Sequence, residues 1–156
     1  MIEITLRNLI DTEKFGKILA DICGPGTLIC LNGDLGAGKT TLTQFIGKNL
    51  DVKEYINSPS YSLMNTYNGK YRIHHYDLYK LEGTDEVLDI GIEDYLYSDD
   101  VIIIEWAEKI KDILPRDRID ISIKTLLNSR EVVINGNGKY FLNLKKELKE
   151  NDCFRN

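Results

Sequence analysis

The run Thr27-Leu28-Ile29-Cys30-Leu31-Asn32-Gly33-Asp34-Leu35-Gly36-Ala37-Gly38-Lys39-Thr40-Thr41 decides the fold. It opens with a short apolar stretch and turns glycine-rich, after which Leu42, Phe45, Ile46 and Leu50 recur at the spacing of one helix face. Strand, loop and helix in that order are the setting in which Gly33, four residues, Gly38-Lys39-Thr40 makes a phosphate loop. Gly33, Gly36 and Gly38 let the backbone fold so that consecutive N–H groups of the loop, which also holds the candidate nucleotide-binding residues Asp34, Leu35 and Ala37, can turn inward towards an anion at the positive end of the following helix. Lys39 would then place its charge on the β- and γ-phosphates of a nucleotide, and the Thr40 hydroxyl, followed by Thr41, would take a position on Mg²⁺. A plain glycine turn needs no Lys-Thr pair at this offset.

Working outward, 156 residues suit one domain with a sizeable core. The net charge of −5 and pI near 5.1 supply no global basic field for nucleic acid or an anionic membrane, so any grip on RNA has to be local. No apolar run approaches the ~20 residues of a membrane-spanning helix, and Met1-Ile2-Glu3 lacks the basic start of a leader; the expectation is a cytoplasmic chain. Cys23, Cys30 and Cys153 are odd in number and share no metal-ligand spacing, which reads as reduced apolar fillers plus a tail residue.

Ile2, Ile4 and Leu6 alternate as a strand, and Phe15, Ile18, Leu19 and Ile22 follow as a helix that Asp11-Thr12 is placed to cap. Two strand-like runs from Tyr61 to Asp77 flank Asn68-Gly69, a strong hairpin turn. Residues 82–100 carry eight acidic side chains and no Lys or Arg, a solvated face on short helices or a docking surface for a partner. Val101-Ile102-Ile103-Ile104 has the composition of a central strand buried on both faces. A short helix halted by Pro115, two strands around Asn128-Ser129 and a final helix or strand complete the pattern. The architecture expected is α/β: a three-layer P-loop NTPase-like domain over residues 1–140, with a central mainly parallel sheet and an antiparallel hairpin. Residues 141–156 are expected as a C-terminal helix or strand with a frayed tail.

A phosphate loop needs a carboxylate at the end of a neighbouring apolar strand to hold or orient Mg²⁺, and Glu105 ends the Val101 run. Asp77 ends another strand-like run and offers a second carboxylate, for the attacking water, the metal shell or simply the turn that follows. His75 could bond within the same site, although a satisfied structural histidine is the commoner outcome. Ser58-Pro59-Ser60 stands where nucleotide switches place a loop that senses the γ-phosphate.

The motifs from Gly33 to Thr41, Ser58-Pro59-Ser60-Tyr61, His75-Tyr76-Asp77-Leu78-Tyr79-Lys80-Leu81 and Ile104-Glu105-Trp106-Ala107-Glu108 together closely resemble the bacterial TsaE (YjeE) family. The resemblance implies a P-loop ATPase needed to make threonylcarbamoyladenosine beside the anticodon of tRNA. Such an ATPase uses Mg²⁺ and ATP to reset a transferase complex of TsaD and TsaB, and meets tRNA only through that complex. By position it further implies Lys39, Asp77 and Glu105 as catalytic, Thr40 and Glu105 as Mg²⁺ ligands, and Ser58 and Ser60 as switch residues. It places Trp106 and Arg130 beside the nucleotide and Thr12 near the adenine. Two departures stand out: Ser60-Tyr61 replaces a common Thr-Phe, and Lys80 replaces an arginine whose bidentate contact lysine cannot reproduce.

Two other functions share parts of this pattern. A small-molecule or nucleoside kinase would use Arg116 and Arg118 as lid residues, but no arginine-rich insertion accompanies them. A nucleotide-gated binding module would keep the loop and make hydrolysis incidental. No Asn-Lys-x-Asp follows the phosphate loop to read guanine, which disfavours a GTPase.

Overall fold

Strand β2 (Leu28–Gly33) is the axis of the molecule: Ile29 and Leu31 are buried in one core and Leu28 and Cys30 in another. The computed structural model describes residues 1–59 and 63–154. Besides β2, the sheet contains β1 (Ile2–Leu6), β3 (Met64–Asn68), β4 (Arg72–Asp77), β5 (Val101–Glu105), β6 (Ile119–Thr125) and β7 (Arg130–Gly136). Its seven strands run in the order β1-β7-β6-β2-β5-β4-β3. The four central strands β6, β2, β5 and β4 are parallel, and β3 and β7-β1 add antiparallel pairs outside them. The expected α/β architecture is therefore present.

Helices α1 (Leu9–Ile22), α2 (Lys39–Asn49) and α5 (Lys139–Glu150) cover one face, burying Phe15, Leu19, Leu42, Ile46 and Leu144. Helices α3 (Thr84–Asp89) and α4 (Glu93–Leu96) and the 3₁₀ segment Ala107–Ile113 cover the other through Val87, Ile92, Leu96, Ala107 and Ile110. This second cover stops at β2. Beyond it Ser122, Lys124 and Asn135 are exposed, as one-sided antiparallel strands permit. Within the acidic stretch Leu88 and Ile90 are likewise exposed, so only part of its apolar set anchors it.

Register sets up the functional edge. Leu31 of β2 and Asp77 of β4 both pair with Glu105, and Gly33 pairs with Ile123 of β6. The carboxyl ends of four parallel strands thus meet at one rim, where ligands of such sheets bind.

Three local expectations change. Asn8, not Asp11-Thr12, caps α1: its Oδ1 accepts the Asp11 N–H at 2.9 Å, while Asp11 accepts the Arg7 backbone N–H at 2.9 Å. The exchange resembles a capping box shifted by one residue. At the hairpin, Asn68 remains in the ladder opposite Arg72, and Gly69 does not adopt positive φ. A Cβ on Gly69 would lie 2.1 Å from the Leu50 carbonyl, so close packing against the end of α2 requires glycine there. Finally, the carboxy-terminal segment is helical, and among the described residues after it Phe154 is 2% exposed and meets Phe15 edge-on at 6.1 Å. One apolar residue after a polar run outweighs the composition around it.

Cys23 and Cys30 are buried free thiols, and Cys153 is free and exposed. Burial pushes the Cys23 thiol up to about 12 and raises Cys30 as well, the latter helped by Asp120. No helix among the described residues is long and apolar enough to cross a membrane.

Candidate functional site

The loop between β2 and α2 is built by glycines in positions no side chain tolerates well. Gly33 (φ 146°) lies where a Cβ would sit 2.5 Å from the Ile123 carbonyl, and Gly36 (φ 81°) and Gly38 (φ 105°) are left-handed. Gly38 caps α2 without a side-chain hydrogen bond, leaving the first-turn N–H groups of α2 free of a capping side chain. Lys39 donates to the carbonyls of Gly33 at 2.5 Å and Asp34 at 2.9 Å, and its Nζ lies 4.2 Å from the centroid of the Trp106 ring. Desolvation lowers the lysine below its usual 10.5; Glu105 is the strongest of the carboxylates that pull it back.

Glu105 is 2% exposed at the end of β5. The Thr40 hydroxyl donates to it at 3.0 Å, and His75 Nε2 lies 2.5 Å from its Oε2. Beside it, Asp77 accepts the Ser58 hydroxyl and the Tyr79 backbone N–H, the latter at 3.0 Å. Asp77 therefore fixes the turn after β4 and faces the phosphate loop as well.

Two cavities meet on the loop. One of about 390 Å³ is lined by Leu35, Gly36, Ala37, Gly38, Lys39, Thr40, Thr41, Ser58, Asp77, Tyr79, Glu105 and Trp106. The other, of about 270 Å³, shares Ala37, Gly38 and Thr41 with the first and adds Thr12 and Arg130, with Arg7, Asn8 and Asn128. Their junction across Gly38 suits a ligand with a charged end and a larger flat end. Arg130 Nε donates to the Ala37 carbonyl at 3.1 Å, bracing the loop from β7. Trp106 has φ 63°, a conformation that costs an aromatic residue energy, and it packs on Tyr79 with ring centroids 5.3 Å apart.

The expected site residues thus converge, with Gly33 and Asp34 acting through their carbonyls on Lys39; Ser60 lies outside the described residues. Arg118 belongs elsewhere. It precedes β6 at the end opposite the loop and bonds Asp120 at 3.0 Å, so it cannot serve as the lid a kinase would need. Sequence reasoning left His75 undecided and passed over Tyr79. The signal available for His75 was its place two residues before Asp77, hence on the same strand face.

Among the described residues no group of three or more His, Cys, Asp or Glu could hold a metal alone. A hydroxyl and a carboxylate 3.0 Å apart, facing a phosphate loop, do fit Mg²⁺, which takes its remaining ligands from phosphates and water.

Residues 6–132 match the family model described as threonylcarbamoyl adenosine biosynthesis protein TsaE. The chain is similar to the tRNA threonylcarbamoyladenosine biosynthesis protein TsaE of Bacillus subtilis, 34% identical over 148 residues that cover 94% of this chain and 92% of that protein. The protein of the same name from Haemophilus influenzae is 39% identical over 126 residues, covering 76% of this chain and 79% of the relative. The crystal structure of YdiB from Bacillus subtilis superposes with a TM-score of 0.81 at 29% identity, over 97% of this chain and 95% of that one.

Proposed function

The chain belongs to the TsaE family, and on that premise we propose that it binds Mg²⁺-ATP across the phosphate loop and hydrolyses it in support of tRNA threonylcarbamoyladenosine formation. The observation that carries this reading is the convergence of Lys39, the Thr40 hydroxyl and the Glu105 carboxylate in one cavity, with Asp77 beside them. Backbone N–H groups of Gly36, Gly38, Lys39 and Thr40 grip the phosphates, the Ala37 N–H being turned back onto the Asp34 carbonyl at 3.0 Å, and Lys39 supplies the positive charge. Thr40 and Glu105 would hold Mg²⁺, which when bound neutralises phosphate charge. Asp77 orients the water or the metal's hydration shell, and Ser58, bonded to it, links that carboxylate to the loop after α2. The adenine takes the cavity between Thr12 and Arg130.

None of the described residues lining the larger cavity is an arginine, which supports slow turnover by the chain alone. The net charge of −5 favours protein partners over a direct hold on tRNA, and the transferase subunits TsaD and TsaB are the proposed ones, with the ATP cycle resetting their complex in the cytoplasm.

Phosphate release by the chain alone and with both subunits tests the proposal, together with calorimetry and Trp106 fluorescence on adding Mg²⁺-ATP. Binding with strong stimulation by the subunits is expected. No binding by calorimetry with unchanged Trp106 emission would sink the nucleotide reading, and phosphate transfer to a nucleoside would replace it with a kinase.

A further inference from the structure

His75 is fully buried in β4, on the face that carries Asp77. Its Nε2 meets Glu105 Oε2 at 2.5 Å, and the Thr40 hydroxyl lies against both carboxylate oxygens, 3.0 Å from Oε1 and 3.1 Å from Oε2. Its Nδ1 has no partner among the described residues. A neutral imidazole carries one N–H. On Nδ1 that proton would lack an acceptor and would leave a nitrogen lone pair against a carboxylate oxygen. On Nε2 it makes a charge-assisted hydrogen bond, so the surroundings select the Nε2–H form. A glutamate has one more rotatable bond than an aspartate, so its carboxylate needs an anchor to stay beside Thr40.

We infer that His75 is a positioning residue: its Nε2–H holds Glu105 Oε2 and thereby keeps the carboxylate against the Thr40 hydroxyl, with Oε1, which His75 does not bond, as the oxygen offered to Mg²⁺ or to water bound by it. The inference rests on the Mg²⁺-ATP reading above. A histidine that serves packing alone has a different neighbourhood. His74, next in the chain, has both nitrogens satisfied, by Thr66 at 2.9 Å and Asp100 at 2.7 Å, and its ring lies on Tyr95.

The test uses the full chain, with Trp106 fluorescence reporting ATP binding while Mg²⁺ is titrated, and again with the metal chelated. His75→Gln keeps an N–H that reaches Glu105; His75→Asn is too short. His75→Asn should raise the Mg²⁺ needed for half-saturation by about 10–100-fold, the usual cost of losing a group that orients a metal ligand. Its affinity for metal-free ATP should change by less than about threefold, and His75→Gln should stay within about threefold of the parent in both assays. His75→Leu, of similar volume, replaces His75→Asn should the latter not fold. A parent-like Mg²⁺ requirement in the short variant, an equal loss with and without metal, or no rescue by Gln would each overturn the positioning role. A parent protein that binds metal-free ATP and ignores Mg²⁺ would remove the metal reading and this inference with it; failure of the variants alone leaves that reading standing.

Discussion

His74 and His75 are neighbours on one strand, equally buried, and point to opposite faces of the sheet. His74 joins β4 to Thr66 of β3 and to Asp100 at the entry of β5, under α4. His75 joins β4 to the carboxylate at the exit of β5 and through it to the first turn of α2. One face uses a histidine and an acid to close a contact in which both imidazole nitrogens are matched. The other uses the same pair and leaves the carboxylate shared with a hydroxyl that can exchange it for a ligand. Burial alone does not distinguish the two; the inventory of partners does.

The comparison predicts a split between activity and stability, and the largest effect lies on the loop side. Glu105→Ala should cut ATP turnover about 10²–10³-fold, the scale of losing a group that organises charge at the reacting phosphate. Steady-state phosphate release with the partner subunits measures it, and retention of more than a tenth of the parent rate would break the assignment. Asp77→Asn should follow at about 10–100-fold, because it keeps the turn hydrogen bonds and removes the charge. An unaffected rate would reduce Asp77 to the turn residue it also is.

On the other face Asp100→Ala should leave turnover within about twofold and cost about 1–3 kcal/mol of stability, since His74 Nε2 would lose its acceptor inside the protein. Urea denaturation reads the cost directly. A large drop in turnover without loss of stability would show that the two faces are not independent.

What was legible in the sequence divides along the same line. The phosphate loop could be read because backbone constraints demand glycine at fixed offsets, and β5 because burial on both faces demands an unbroken apolar run. Glu105 and Asp77 could be placed as strand ends. The bond from His75 to Glu105 could not, because it depends on the register of β4 against β5, which no local pattern fixes. Gly69 looked like a turn former because its reason for being glycine, the Leu50 carbonyl, lies on a different element. Phe154 looked like tail because its partner, Phe15, is far away in the chain. The kinase alternative was open in the sequence for a similar cause: Arg118, three residues after Pro115, carries no local signal of which end of the sheet it occupies.

The smallest effect concerns the thiols, one in each core: Cys23 under the α1 side and Cys30 on the other. Both titrate above the ordinary 9.0 because burial disfavours the thiolate. The native chain therefore holds protons that the unfolded chain releases, so this contribution is fully present below 9.0 and is lost as pH rises from there towards the folded values. Lys39 acts with the opposite sign. Its lowered ammonium lets the native state lose a proton first, which returns some stability between the lowered value and 10.5. Two thiols oppose one lysine, so unfolding free energy should fall between pH 8 and 9.5, each thiol accounting for a little under about 1 kcal/mol at the upper end. Cys23→Ala and Cys30→Ala carry a packing cost that is the same at both pH values, so the pH-dependent difference isolates the thiol. Each should remove a similar share of the alkaline loss. A loss removed wholly by one variant would mean that the two cores do not open together, and the all-or-none unfolding assumed in comparing the faces would fail.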